Sequence, residues 1–217
     1  ATGLSESLSC PTMMAKGLRL NQTDCAWAKV AGSISEQSAN SNNSGYHSTI
    51  GGIRLGAQKS LRSQWTAGFS VGYANNYMSA PGLSSNGQFF DASLSARKRV
   101  DQWELGGSLG FAYGWLDNTR TPQLFTSGAA KSMVKSYSSD AKMMMIGLRL
   151  RAAYQMEYGS HYVKPYVDVD VMYGNRPGYT ESGDGLLALE SKNDSDFTFG
   201  ITPMVELGSD VAVDGKR

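Results

Sequence analysis

The sequence predicts an all-β protein, a transmembrane antiparallel up-and-down β-barrel of the outer-membrane type. Three observations predict this fold class. Apolar and polar residues alternate with a period of two over most of the chain, the alternating segments run to about 10–14 residues, and short connections alternate with long ones. The 217 residues are enough for one barrel, and they include 25 glycines and six prolines.

The composition argues against several other classes of protein. Lys and Arg total 20 and Asp and Glu total 19, so the net charge of +1 argues against a dedicated nucleic-acid binder. A hydrophobic fraction of 41% is too high for a disordered chain. The longest apolar run, residues 143–148, is far shorter than the ~18 residues of a membrane helix. A membrane barrel stays possible, because its alternating strands average to a polar hydropathy.

Eight segments are predicted to be long strands. The alternation is clearest in residues 64–77 and 102–115, where every second residue from Trp103 to Trp115 is apolar or glycine. The other six segments follow the pattern less cleanly and are residues 26–34, 52–58, 90–97, 144–155, 163–171 and 196–207. A ninth strand, around Leu187 and Leu189, is weak.

Strand length favours a membrane barrel over a soluble one. Strands of soluble proteins usually have ~5–6 residues. The twelve steps from Trp103 to Trp115, at ~3.3 Å each and a tilt near 40°, span roughly 30 Å, enough for an apolar belt ~25 Å tall. Both tryptophans, and likewise Trp65 and Tyr77, stand where the aromatic girdles of such a belt are found. A long-stranded soluble barrel with its aromatics inside is the alternative, but the opposite face carries glycines as well as charges, which favours a lumen.

The connections are predicted to differ between the two ends of the barrel. Short ones are residues 60–63, 100–101 and 159–160. Long ones, rich in Asn, Ser and Gly, are residues 35–45, 78–87, 118–138 and 174–194. Short turns on one side and long loops on the other are the plan of an outer-membrane barrel.

Five motifs in order give the chain a resemblance to a known family. They are residues 25–32 (CAWAKVAG), 51–58 (GGIRLGAQ), 67–73 (AGFSVGY), 164–168 (KPYVD) and 179–183 (YTESG). Together they resemble the translocator barrels of autotransporters, which belong to type V secretion, and the resemblance covers nearly the whole chain from Ser9 on. It implies twelve strands, a helix threading the lumen and a last strand that ends in an aromatic residue. This chain shows eight or nine strands and ends Asp214–Arg217.

The resemblance therefore predicts two regions. Residues 1–24 would be a linker or the end of the lumenal helix, and residues 25–217 a translocator barrel that is C-terminally incomplete by three or four strands. It implies an outer-membrane location in a Gram-negative bacterium, where the chain supports export of an N-terminal passenger. The partners implied are outer-membrane lipid, the barrel-assembly machinery and the protein's own passenger, with the barrel a monomer that binds no nucleic acid. The alternative is a stand-alone barrel acting as an adhesin through loops such as residues 118–138.

The candidate functional residues are those predicted to line the pore. Alternation places charged side chains on the face opposite the apolar belt, and we expect an ion-paired arrangement of Asp168 and Asp170 with Arg149 and Arg151 rather than a catalytic dyad. Five glycines on the same face leave room for a helix or an extended chain, or else mark sheet curvature: Gly68, Gly72, Gly106, Gly110 and Gly114. The predicted pore-lining residues are Lys29, Arg54, Asp91, Arg97, Glu104, Arg149, Arg151, Lys164, Asp168, Asp170 and Glu206.

No enzymatic, metal or cofactor site is predicted. The two histidines, His47 and His161, are expected near opposite ends of the barrel, and no Gly-x-Ser-x-Gly motif occurs. The two cysteines and two histidines offer too few ligands for a metal cluster. In an oxidising cell envelope, a disulfide between Cys10 and Cys25 is expected, as in family members that carry such a pair before the first strand; two free thiols are the alternative.

Overall fold

The part of the chain that the structure describes forms one curved antiparallel sheet and a small accessory hairpin. A computed structural model describes residues 24–40, 44–122, 136–183 and 187–209. Its strands are β1 (Cys25–Gln37), β2 (Tyr46–Ser60), β3 (Trp65–Ala80), β4 (Leu83–Val100), β5 (Trp103–Arg120), β6 (Tyr137–Tyr154), β7 (Met156–Tyr158), β8 (His161–Arg176), β9 (Tyr179–Thr180), β10 (Glu190–Ser191) and β11 (Asp194–Ser209).

The strand order confirms the up-and-down prediction. The eight long strands pair in the order β1-β2-β3-β4-β5-β6-β8-β11, so each long strand lies beside its neighbours in the chain and the sheet forms a half-barrel. Short β9 and β10 form a separate two-stranded hairpin within the connection from β8 to β11. The weak ninth strand expected around Leu187 and Leu189 corresponds to the short β10, which begins one residue after Leu189 and lies within the connection from β8 to β11.

The pairing register continues without a slip across Pro165. The β6–β8 ladder stops at the pair Ala153–Tyr166, and β7 resumes it at Met156–Val163 with the same offset. Proline has no N–H to donate, so the ladder is interrupted where Pro165 faces the end of β6. The strand direction and the assignment of side chains to faces are preserved on both sides of the interruption.

The two faces of the sheet are inverted relative to a soluble protein. On one face large apolar side chains are open, with Leu94 66% and Phe69 53% exposed. On the other face Ser70 and Asp168 are only 1% exposed. In a half-barrel the side chains of the concave face converge and cover one another, so we name the polar, buried face the inner face and the apolar, open face the outer face. Among the described residues, no helix is long and apolar enough to cross a membrane.

The connections confirm the short turns and correct one of the long loops. The short turns predicted at one end join β2 to β3, β4 to β5 and β7 to β8. At the other end, the expected loop 78–87 is wrong, because only Pro81 and Gly82 separate β3 from β4. The Asn and Ser residues that suggested a loop instead continue both strands beyond the apolar belt, where polar side chains meet no apolar surroundings. We call the two ends of the sheet the short-turn end and the loop end.

The Pro81–Gly82 turn gives a test of this correction. Gly82 has φ +74°, a left-handed conformation that suits glycine after proline in a type II turn. We expect Gly82→Ala to lower the free energy of unfolding by about 1 kcal/mol. Gly51→Ala is the matched control, because Gly51 lies within β2 with open space around it and no positive φ. Urea unfolding in detergent micelles measures both; equal stability of the two variants would contradict the tight turn.

Candidate functional site

The candidate site is the inner face of the sheet. The register places all eleven predicted pore-lining residues on that face. Each either lies opposite another of these residues in a neighbouring strand or is an even number of positions from one in the same strand. Lys29 pairs with Arg54, and Arg54 and Asp91 both pair with Gly72 in one row. These are Lys29, Arg54, Asp91, Arg97, Glu104, Arg149, Arg151, Lys164, Asp168, Asp170 and Glu206.

A ladder of arginine–aspartate pairs crosses the middle of this face. Arg151 donates from Nε and Nη2 to the two oxygens of Asp168 at 2.6 and 2.7 Å. Arg149 makes the same two-bond contact with Asp170 at 2.6 and 2.8 Å, and its Nη1 lies 3.7 Å from Asp168. The ion pairs expected from the alternation of β6 and β8 are therefore present. Two-bond pairing matters here because a buried carboxylate is costly unless it is both paired and hydrogen-bonded.

A second network surrounds Glu104 near the short-turn end. Its carboxylate lies 3.3 Å from Nζ of Lys164, 3.7 Å from Arg97 and 3.6 Å from Arg99. Arg99 was not among the predicted residues, although it follows the same alternation as Arg97. Three cations around one buried carboxylate leave this part of the inner face positively charged.

The remaining predicted residues lie on β1, β2, β4 and β11. Arg54 contacts Asp91 at 2.5 Å and reaches Ser70 at 3.4 Å, and Ser70 in turn hydrogen-bonds Ser93 at 2.8 Å. On the last strand, Glu206 accepts a hydrogen bond from the hydroxyl of Tyr162 at 2.6 Å. Paired charges and hydroxyls therefore cover much of the inner face.

Two of the inner-face glycines are occupied by neighbouring side chains. A Cβ at Gly72 would collide with Asp91 and Arg54, and a Cβ at Gly114 would collide with the ring of Phe89. At these two positions the space left by glycine is filled by side chains of the sheet itself. It is therefore not open to a chain in the lumen.

The alternation did not reveal a third cluster, at the loop end of the inner face. Arg120 donates from Nε and Nη2 to Glu181 at 2.8 and 2.6 Å, and its guanidinium lies 5.3 Å from the ring of buried Tyr137. Glu181 also accepts from the backbone N–H of Leu189 at 2.9 Å. We call Arg120, Tyr137 and Glu181 the loop-end cluster. Its partners lie 61 positions apart in sequence, so strand periodicity could not connect them.

The loop-end cluster holds part of the β8–β11 connection against the sheet. Ser138 and Ser182 exchange two backbone hydrogen bonds, at 2.9 and 2.7 Å. Arg120, which donates to both oxygens of Glu181, holds the pKa of that carboxyl below its ordinary value, and the N–H of Leu189 adds to the effect. The connection is therefore fixed against the loop ends of β5 and β6.

The histidines and the cysteine pair were the other candidates. His47 lies at the loop end and His161 at the short-turn end, as expected. Within the described ranges, no group of His, Cys, Asp or Glu could hold a metal ion. Cys25 is disulfide-bonded. Cys10 lies outside the described residues, so its pairing with Cys25 stays a prediction.

The inverted faces, the long unbroken strands and the up-and-down order define the chain as a barrel of the membrane type. The family model of the autotransporter β-domain matches residues 26–216. The chain belongs to that family. No curated protein sequence gives a significant match beside it.

Two solved structures are similar in fold. The translocator domain of the autotransporter NalP from Neisseria meningitidis superimposes with a TM-score of 0.65 at 11% identity, over 84% of this chain and 60% of NalP's. The β-domain of the Bordetella autotransporter BrkA gives a TM-score of 0.60 at 17% identity, over 89% of this chain and 73% of BrkA's. The present chain thus spans about three fifths of the NalP domain.

The arginine–aspartate ladder predicts unequal costs for its two carboxylates. Asp168→Asn leaves Arg151 and Arg149 facing a neutral amide in a buried position, and we expect a loss of about 3 kcal/mol in the free energy of unfolding. Asp170→Asn is the matched control, because Asp170 is more accessible and Arg149 keeps its contact with Asp168. Urea titrations of the barrel in micelles compare the two, and a cost at Asp170 as large as at Asp168 would contradict the ladder.

The loop-end cluster predicts a dependence on pH. Because the pKa of Glu181 is lowered in the folded state, its contribution is complete above the ordinary value of 4.5 and is lost as the pH falls through the lowered pKa. We expect Glu181→Gln to reduce hydrogen-exchange protection of residues 187–193 at neutral pH, and the unaltered protein to lose it only in acid. Glu190→Gln, an exposed change on the same connection, should leave protection intact. If Glu181→Gln leaves the hydrogen-exchange protection of residues 187–193 unchanged, the Arg120–Glu181 pair does not hold this connection.

Proposed function

We propose that this chain is the membrane-anchoring translocator of an autotransporter, which supports export of an N-terminal passenger across the outer membrane of a Gram-negative bacterium. The observation that carries the proposal is the inversion of the two faces. An open apolar outer face suits lipid, and a paired polar inner face suits water and a passing chain. Membership of the autotransporter family supports the same role.

The outer face has the dimensions of a membrane belt. On β5 the apolar side chains run from Trp103 through Leu109 to Trp115, with the two tryptophans as interfacial anchors. Trp103 packs on Tyr154 with ring centroids 5.0 Å apart, and Trp115 packs on Tyr113 at 4.7 Å. Between these two tryptophans β5 carries no charged side chain on the outer face, as a strand in contact with hydrocarbon requires.

The inner face is proposed to line the export path. Each of its arginines on β2, β4 and β6 lies within ion-pair distance of a carboxylate, so the wall is hydrophilic without a row of unpaired charges that would hold a passing polypeptide. Such a wall acts passively: it keeps water and peptide groups solvated and supplies no energy. The sequence has no nucleotide-binding motif that would provide an energy source. The eleven predicted residues are assigned this lining role.

The proposal includes an organisation and partners. Residues 25–217 belong to the barrel domain and residues 1–24 lead into it from the passenger side. Lipid surrounds the outer face, the barrel-assembly machinery inserts the strands, and one copy suffices for one export path. The alternative, an adhesin that binds through its loops, loses one of its expected binding loops because β3 and β4 are joined by two residues.

Export is tested with the complete gene and an epitope tag placed just before residue 1. In a Gram-negative host, we expect external protease to remove the tag from intact cells that carry a heat-modifiable, folded barrel. Leu109→Arg places a charge in the middle of the belt and should cost about 2–4 kcal/mol, abolishing both folding and exposure of the tag. Thr119→Arg, on the same face of the same strand but beyond Trp115, is the matched control and should export normally.

A folded barrel whose tag stays protected from external protease would overturn the export proposal. That result would favour the adhesin or a simple pore. Equal tolerance of the two arginine variants would instead overturn the position assigned to the membrane belt.

A further inference from the structure

The two ends of the outer face differ in the sign of their charged side chains, because acidic residues occur at one end only. The register assigns only lysines, apart from His161, to the short-turn end of that face. The acidic side chains all lie at the loop end. The outer-face residues with a formal charge in the described strands are Lys59 and Lys98 at the short-turn end, and Glu36, Asp117, Asp140 and Lys142 at the loop end.

The two lysines at the short-turn end lack an acidic partner. The inner-face arginines described above all contact carboxylates, whereas neither Lys59 nor Lys98 does so among the described residues. Two acids do lie at the short-turn end: Asp24, whose carboxylate accepts from the backbone N–H of Ser60 at 2.6 Å, and Asp101, which lies in the β4–β5 turn. Both precede or follow the strands rather than face outward from them.

The two lysines flank a pair of small residues, Ala67 on β3 and Ala96 on β4. Lys59 pairs with Ala67 across β2–β3, Ala67 pairs with Ala96 across β3–β4, and Trp65 pairs with Lys98. Two alanines therefore form the floor between the lysines. The Nζ atom of Lys98 lies 5.5 Å from the ring centroid of Trp65, so this cation already sits beside an interfacial aromatic ring.

We propose that Lys59, Lys98 and Trp65 bind the phosphate headgroup of an anionic phospholipid in the leaflet at the short-turn end. The proposal rests on the function proposed above, because it requires the outer face to contact lipid. Lysine stems run along apolar surface while their ammonium groups reach the headgroup level, and each lysine near the surface attracts anionic lipid. The alanine floor lets a headgroup approach the sheet between the two cations.

The loop end offers a natural comparison. Lys142 pairs with Trp115, as Lys98 pairs with Trp65. Directly beyond that row, however, Asp117 pairs with Asp140 on the same face. Two carboxylates beside one lysine repel an anionic headgroup, so the same lysine–tryptophan arrangement should select anionic lipid only at the short-turn end.

Quenching of Trp65 fluorescence by brominated phosphatidylcholine tests the site. The experiment uses a full-length variant in which Trp27→Phe, Trp103→Phe and Trp115→Phe leave Trp65 as the single tryptophan of this chain. Unlabelled phosphatidylglycerol that binds beside Trp65 displaces the brominated lipid and restores fluorescence. At low ionic strength, where screening is weak, we expect phosphatidylglycerol to be preferred by about 25-fold, because each of the two lysines contributes roughly fivefold.

Variants separate a defined site from diffuse attraction. Lys59→Gln with Lys98→Gln should reduce the preference below about twofold, Lys142→Gln should leave it unchanged, and Lys59→Arg with Lys98→Arg should retain it. Heat-modifiable mobility verifies that every variant is folded. A parent protein without preference, or a preference that survives the double glutamine change, overturns the lipid site while leaving the export proposal intact. If brominated phosphatidylcholine fails to quench Trp65 at all, the outer face does not contact lipid and the proposed orientation in the membrane fails with it.

Discussion

The uninterrupted pairing register is the constraint on which the rest of the structure depends. Because side chains alternate between faces with a period of two, a slip of one residue at any ladder would carry every following charge to the opposite face. From Cys25–Gln58 in the first ladder to the Asp194–Arg176 pair in the last, the register keeps the eleven predicted charged residues together on the inner face. Even at Pro165, where hydrogen bonding lapses, β7 resumes with the same offset.

The ion pairs are one consequence of that register and in turn support it. Arg151 reaches both oxygens of Asp168 only because their strands are adjacent and their positions are directly opposed. A slip would bury Asp168 without its partner, which is far more costly than losing a surface pair. The inner face therefore rewards one alignment of β6 and β8, whereas the apolar outer face accepts any alignment that keeps its parity.

Much of the fold could be predicted from sequence because alternation is local. The eight long strands, the inner-face position of Arg149 and Asp170 and the short turns all follow from neighbouring residues. The β3–β4 turn could not be predicted in the same way, since Asn and Ser signal a loop in water but also continue a strand beyond a membrane belt. The Arg120–Glu181 pair could not be predicted for another reason. The connection that carries Glu181 folds back on the sheet, and strand alternation does not indicate a contact between residues so far apart in sequence.

The two ends of the sheet are built for different surroundings. At the loop end the outer face carries three acidic side chains, and the β8–β11 connection is fixed to the sheet by Arg120 and Glu181. At the short-turn end the chain reverses within a few residues and the outer face carries Lys59 and Lys98. The apolar belt is bordered by tryptophans at both ends, but the charges and the connections beyond it differ between the two ends. In the proposed export direction, from the short-turn end to the loop end, the lysines lie where the passenger enters. The connection fixed by Arg120 and Glu181 lies where the passenger emerges.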